Sequence, residues 1–271
     1  MRPQTIDVRT ALCLSALLCF ASLSARAQGE PACTPGVFAY SFWGASSSKP
    51  IAYTATIKAT IEQRLPDGNT IRGVVHTQQA RDSSGKTVSQ MPQGCHLDEN
   101  GQPALQMFVN VHDPATKTSE NWQVGDFMFG DKVVRISHPT PAPPAAKLTP
   151  EELAARRKAQ ERSQPPKSEF KTEDLGTRTI AGTEARGSRI TRTIPAGKEG
   201  NDMPLVVVNE TWRSNELGMT MMAMTDDPRS GKKTWEVEEF SRSEPDAKLF
   251  LPPADYKVVD ITPPTETLAK Q

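Results

Sequence analysis

The residues with chemistry to offer are few and scattered along the chain. Ala80-Arg81-Asp82-Ser83-Ser84-Gly85-Lys86-Thr87 has the outline of a phosphate-binding loop, in which backbone amides at a helix N-terminus cradle phosphates and a lysine neutralises them. A helix must follow such a loop. Val88 to Gly94 instead contains Pro92 and Gly94 and has no helical period, so a hairpin turn from Asp82 to Gly85 is expected. Gly218-Met219-Thr220-Met221-Met222-Ala223-Met224 gathers thioethers, soft ligands suited to copper(I). On a regular strand Met219 and Met221 face one way and Met222 and Met224 the other, which favours flexible core filling or the lining of an adaptable apolar pocket. His76, His96, His112 and His138 fall on different strands or turns, without metal-site spacing. Glu238 and Glu239, adjacent on a strand, read as pointing to opposite faces and not as an acid and base pair. No Gly-x-Ser-x-Gly elbow is present. The chain therefore reads as non-enzymatic, with no catalytic residue, metal ligand or cofactor assigned. Asn209-Glu210-Thr211 has the form of a glycosylation sequon, which matters only in a eukaryotic host.

What positions these residues begins with export. Arg2 and Arg9 precede an apolar run from Ala11 to Leu23, and Ala25-Arg26-Ala27 has the small-x-small pattern of a signal peptidase site, so cleavage is expected after Ala27. The run falls short of the ~20 residues a membrane-spanning helix needs, and no later stretch qualifies. Losing residues 1–27 removes three arginines and one aspartate, leaving 29 basic and 31 acidic residues. A net charge near −2 provides no general attraction to nucleic acid. Cys13 and Cys19 leave with the signal, and Cys33 and Cys95 remain in an oxidising compartment, where a disulfide between them is expected.

From Ile51 to Leu65, Ile51, Tyr53, Ala55, Ile57, Ala59, Ile61 and Leu65 alternate with threonines and charged residues, a period that only a strand fits. A strand of such length must twist and curve. Pro66-Asp67-Gly68-Asn69 turns it into a second strand over Thr70 to Arg81. Leu105, Met107, Val109 and Val111 alternate in the same way, and Val133 to Ser137 ends the first half. Residues 139–168 are rich in proline and form a linker or insertion, with Thr149 capping a short helix over 150–162 through Glu152. Strands return over Thr177 to Ala185, Arg189 to Ile194, Leu205 to Trp212, Leu217 to Thr225 and Lys233 to Phe240. The organisation expected is a signal peptide (1–27), two halves of one antiparallel sheet (28–138 and 169–262) split by the insertion, and a disordered tail (263–271).

The run Glu210-Thr211-Trp212-Arg213-Ser214-Asn215-Glu216-Leu217, the Asp227-Pro228…Gly231 turn and the tail Glu244-Pro245-Asp246-Ala247-Lys248-Leu249-Phe250-Leu251-Pro252-Pro253-Ala254-Asp255-Tyr256 together resemble a group of uncharacterised secreted bacterial proteins. Their tail is similar to that of the outer-membrane lipoprotein-sorting proteins. This resemblance, over roughly the last 80 residues, implies a curved antiparallel sheet forming a half-open barrel whose apolar concave face shelters acyl chains.

The fold class expected is thus mainly β. The function expected is an exported binding module, periplasmic or secreted, that shelters a lipid or other apolar ligand. Ile51, Tyr53, Ile57, Ile61, Met219 and Met221 are the expected lining, because one short polar helix is too little to roof the sheet. The alternative is a structural or interaction protein of the envelope, whose apolar face packs internally and whose strand edges or proline-rich arm meet a protein partner.

Overall fold

The computed structural model describes residues 33–36, 46–125, 132–138, 149–162 and 169–262. The chain divides into two units, Met1–Pro31 and Ala32–Gln271, and the described residues all lie in the second. The expected signal peptide, the proline-rich stretches on either side of the helix and the expected terminal tail lie outside them.

The alternation around Ile57 becomes β1, Tyr53–Arg64, in which Tyr53, Ala55, Ile57, Ala59 and Ile61 are all buried and the residues between them are half-exposed. It is followed by β2 (Thr70–Arg81), β3 (Thr87–Leu97), β4 (Pro103–Asp113), β5 (Thr118–Val124) and β6 (Val133–Ser137), then helix α1 (Pro150–Arg162). The second half holds β7 (Glu169–Ile180), β8 (Thr183–Ile194), β9 (Leu205–Ser214), β10 (Met219–Asp227), β11 (Gly231–Ser241), a 3-10 turn at Ala247–Phe250 and β12 (Lys257–Asp260). The twelve strands make one curved, open sheet in the order β12-β6-β5-β4-β3-β2-β1-β11-β10-β9-β8-β7, mainly β as expected. The sheet does not close into a barrel: β12 and β7 are its edges. β1 to β6 run outward in one direction, and β7 to β11 return from the opposite edge until β11 pairs with β1.

Helix α1 starts as its sequence predicts. The Thr149 Oγ1 accepts from the Glu152 amide at 3.2 Å while Glu152 Oε2 accepts from the Thr149 amide at 2.7 Å, a reciprocal capping box. Its side chains are exposed from residue 150 to 160. Residues 177–185, expected to form one strand, instead contain the β7–β8 hairpin. Ala181 and Gly182 have φ of 45° and 74°, the two positive values of a tight hairpin turn, and Ile180 pairs with Thr183. β3 escaped sequence reading because Pro92 interrupts it, and the structure accommodates this proline beside a bulge between Pro92 and Gly94.

β2 and β3 pair only from Gln79 to Arg81 and then splay apart. The segment 33–36 fills the split. Cys33 pairs with Val75, the Thr34 amide donates to the Val74 carbonyl at 2.9 Å, and the Gly36 amide donates to the Cys95 carbonyl at 3.1 Å. The expected disulfide between Cys33 and Cys95 fastens this wedge, packed with Val75 and Leu105.

Residues paired across strands share a face, and on that basis the two halves bury different faces. Ala80, Val88 and Val111 pair in sequence from Thr54, opposite to Tyr53 and Ile57. With Val109, Trp122 and Val134 they form an apolar surface on β2–β6. The C-terminal segment covers it, seating Phe250 in the cluster with Leu249 and Tyr256 beside it. The Tyr256 hydroxyl donates to the Gln123 carbonyl at 2.6 Å, and β12 then pairs in parallel with β6. This strap therefore connects the central β11 to the far edge of the sheet and covers the apolar surface of β2–β6, a cover not expected from a sequence in which the one short polar helix is too little to roof the sheet.

Candidate functional site

The apolar residues expected to line a concavity come together in the second core cluster. Tyr53, Ala55 and Ile57 of β1 join Val237, Leu217, Met219, Met221, Met222, Trp212, Ile180 and Ala185, with Ile51, Met224, Trp235 and Phe240 packed at the margin. Ile57, Met219 and Met221 are 0% exposed, Tyr53 3% and Ile61 8%, while Ile51 is half-buried. Ile61 stands outside this cluster, toward the β1–β2 turn. Tyr53 stacks on Phe240 with ring centroids 5.7 Å apart, and burial pushes its phenol pKa up. The structure thus brings five of the six expected residues together, as packed interior.

Two β-bulges change where side chains point. Thr220 pairs with Arg213 but Met222 pairs with Trp212, so Met221 is the extra residue. Met219, opposite Ser214, and Met222, opposite Trp212, consequently share a face, contrary to the regular alternation expected from sequence. A second bulge lies where Thr56 pairs with Glu239 and Ile57 with Val237. Glu238 reaches Lys58 at 3.9 Å and His76 at 3.4 Å, and Glu239 accepts from the Thr56 hydroxyl at 3.2 Å. Both carboxylates therefore lie on the Thr56 face, correcting the expectation that they diverge.

Beside the methionines, Trp212 anchors a polar network. Its ring crosses the backbone of β8 at Gly187, and the Arg178 guanidinium sits 4.3 Å from the ring centroid. The Trp212 Nε1 donates to Glu210 Oε1 at 2.8 Å, and Glu210 Oε2 takes Arg189 Nη2 at 3.0 Å. Burial alone would raise the Glu210 pKa, but these hydrogen bonds and the charges of Arg189 and Arg178 hold it below the ordinary glutamate value. Arg178 also faces Glu236 at 3.5 Å. The sequence marks Trp212 only through the family resemblance; its partners on β7, β8 and β11 are visible only once the strands are in register.

The remaining sequence candidates fall into structural roles. Asp82 to Lys86 forms a hairpin turn in which Asp82 Oδ1 accepts from the Lys86 amide at 2.8 Å and from the Ser84 hydroxyl at 2.6 Å. His112 contacts Ser119 at 3.3 Å and His138 contacts Asp260 at 3.8 Å. Among the described residues no three His, Cys, Asp or Glu side chains converge as a metal site, and no helix is long and apolar enough to cross a membrane.

No protein-family model matches the chain, and no curated protein matches it. Solved structures do. The chain is similar to the Pseudomonas aeruginosa MucA/MucB complex at 12% identity and a TM-score of 0.31, over 77% of this chain and 58% of that one. It is similar to an uncharacterised conserved protein from Thermus thermophilus at 10% identity and a TM-score of 0.37, over 78% and 91%. A Vibrio parahaemolyticus domain assigned to outer-membrane lipoprotein sorting matches at 8% identity and a TM-score of 0.23, over 75% and 91%. Likenesses this distant carry no argument about function, and this chain spans well under two thirds of the MucA/MucB chain it matches.

Proposed function

We propose that this chain is an exported, non-enzymatic binding module that meets its partner on exposed surface and strand edge, and does not enclose a guest. The observation that carries this reading is the burial of Tyr53, Ile57, Ile61, Met219 and Met221. An apolar side chain already removed from water by its own chain has little further transfer energy to offer a ligand. The buried Cys33–Cys95 bridge supports export, because such bonds persist in oxidising compartments. The open β7 edge supports surface recognition, since an unpaired edge strand can accept an extended chain.

A second reading keeps the sheltered lipid or apolar ligand. Met219, Met221 and Met222 in one cluster, with Met224 at its rim, favour it, because unbranched thioether side chains repack readily around a guest. Native mass spectrometry after gentle extraction and titration with an apolar fluorescent dye separate the two. Absence of co-purifying lipid together with no saturable dye binding is the result expected. Stoichiometric lipid, or dye binding abolished by Met221→Asn, would replace the surface reading with the ligand-sheltering one.

A further inference from the structure

The β2–β6 region has a second face, opposite to the one beneath the strap, and its chemistry is different. In-register pairing runs a row of side chains across five strands: Gln79, Ser89, Asn110, Asn121 and Arg135. Next to it, Met91, Phe108 and Gln123 form a shorter row. Asn110, Asn121 and Gln123 are half-buried, and their amides have no hydrogen-bond partner among the described residues. Each amide offers two donors and an acceptor. By the same register no carboxylate projects from β3–β6 on this face, and Arg135 is already engaged within the chain.

This composition selects among ligands. Nucleic acid calls for a cluster of lysines and arginines, which is absent from these rows. A lipid calls for continuous apolar surface, and the apolar side of these strands lies on the other face beneath Phe250. A sugar presents adjacent hydroxyls that both donate and accept, together with C–H ring faces that pack on an aromatic. Uncommitted amides beside Phe108 and the exposed Met91 provide both kinds of contact. Adjacent strands repeat about every 4.8 Å, close to the advance per ring of an extended pyranose chain, so Ser89, Asn110 and Asn121 on three neighbouring strands offer roughly one side chain per sugar, while Gln79 at the β2 end of the row is buried.

The geometry points to this face as the binding surface for an extended, neutral oligosaccharide, with Asn110 and Asn121 as the central hydrogen-bonding pair and Phe108 as the apolar floor. The assignment rests on the reading that the chain binds through its exposed surface. Isothermal titration of the mature chain with cellohexaose, chitohexaose and maltohexaose tests it. At least one hexasaccharide binds, Asn110→Ala and Asn121→Ala each weaken that binding about tenfold, and Thr211→Ala, on an exposed position of β9, leaves it unchanged. Asn121→Gln, which keeps the amide, recovers part of the loss, an outcome that damage to the fold alone does not produce. Silence from all three sugars, or binding that survives both alanine variants, overturns the assignment. Sugar silence with no apolar-dye binding removes the saccharide alone, whereas dye binding removes the underlying surface reading whatever the sugars do.

Discussion

Gly187→Ala is the sharpest test of the Trp212 network. Gly187 is not among the glycines with positive φ, so alanine fits its backbone, and relief of unfolded-chain entropy would ordinarily stabilise the protein by about 0.4–1 kcal/mol. The space is the obstacle. A Cβ at Gly187 would lie 2.7–2.8 Å from three atoms of the Trp212 ring, where carbon atoms prefer about 3.5–4.0 Å. Retreat is resisted by the Arg178 guanidinium 4.3 Å from the ring centroid and by the 2.8 Å hydrogen bond holding Nε1 to Glu210. Overpacking of this kind costs about 1–3 kcal/mol, leaving a net loss of about 1.3 kcal/mol at the middle of both ranges and about 2.6 kcal/mol at most after the backbone gain. For a domain of this size that is a fall in melting midpoint of about 3–5 °C, and about 10 °C at most. Urea denaturation and thermal circular dichroism measure it. Introducing Trp212→Leu beforehand removes the clash, so Gly187→Ala becomes neutral or stabilising in that background. A Gly187→Ala protein as stable as the parent in the presence of Trp212 refutes the reasoning.

Three other perturbations probe separate parts of the fold. Phe250→Ala empties the strap's place over Val109 and Trp122 and lowers stability by about 3–5 kcal/mol, read by denaturation together with a change in tryptophan fluorescence; a loss under about 1 kcal/mol would show that the strap does not seal that surface. Cys33→Ala with Cys95→Ala frees the wedge between β2 and β3 and costs up to about 4 kcal/mol, and an unchanged denaturation midpoint would contradict its role as a clasp. Glu210 has a folded pKa below its ordinary value, so its stabilisation is complete above about pH 4.3 and is lost as pH falls through the lower folded value. The stability gap between the parent and Glu210→Gln therefore narrows below about pH 4, and a gap constant from neutral to acid pH counts against the assigned network.

How much was legible in sequence follows from how local each signal is. The period of two from Tyr53 to Ile61, the Pro66-Asp67-Gly68-Asn69 turn and the Thr149–Glu152 box act within a few residues of themselves, so β1, β2 and the start of α1 could be read directly. The Cys33–Cys95 pairing was legible for a different reason: if residues 1–27 are read as a signal peptide, no other cysteine is left to pair. The Thr177 to Ala185 region was misread because a turn at Ala181-Gly182 hides inside a run of good strand formers.

What the sequence alone determined is the mainly β class, the alternating faces of β1 and the capped start of α1. Tertiary structure decided what each face meets. Strand order put β11 against β1, so the residues around Ile57 met the methionines of β10 as packed interior. A bulge at Met221 adds one residue and reverses the facing of everything beyond it, an effect that no pattern within β10 announces. The strap brings Phe250 to strands more than a hundred residues earlier, and the row through Asn110 and Asn121 exists only because five strands align in register. Local periodicity says which side of a strand is apolar; pairing between distant strands decides whether that side is covered.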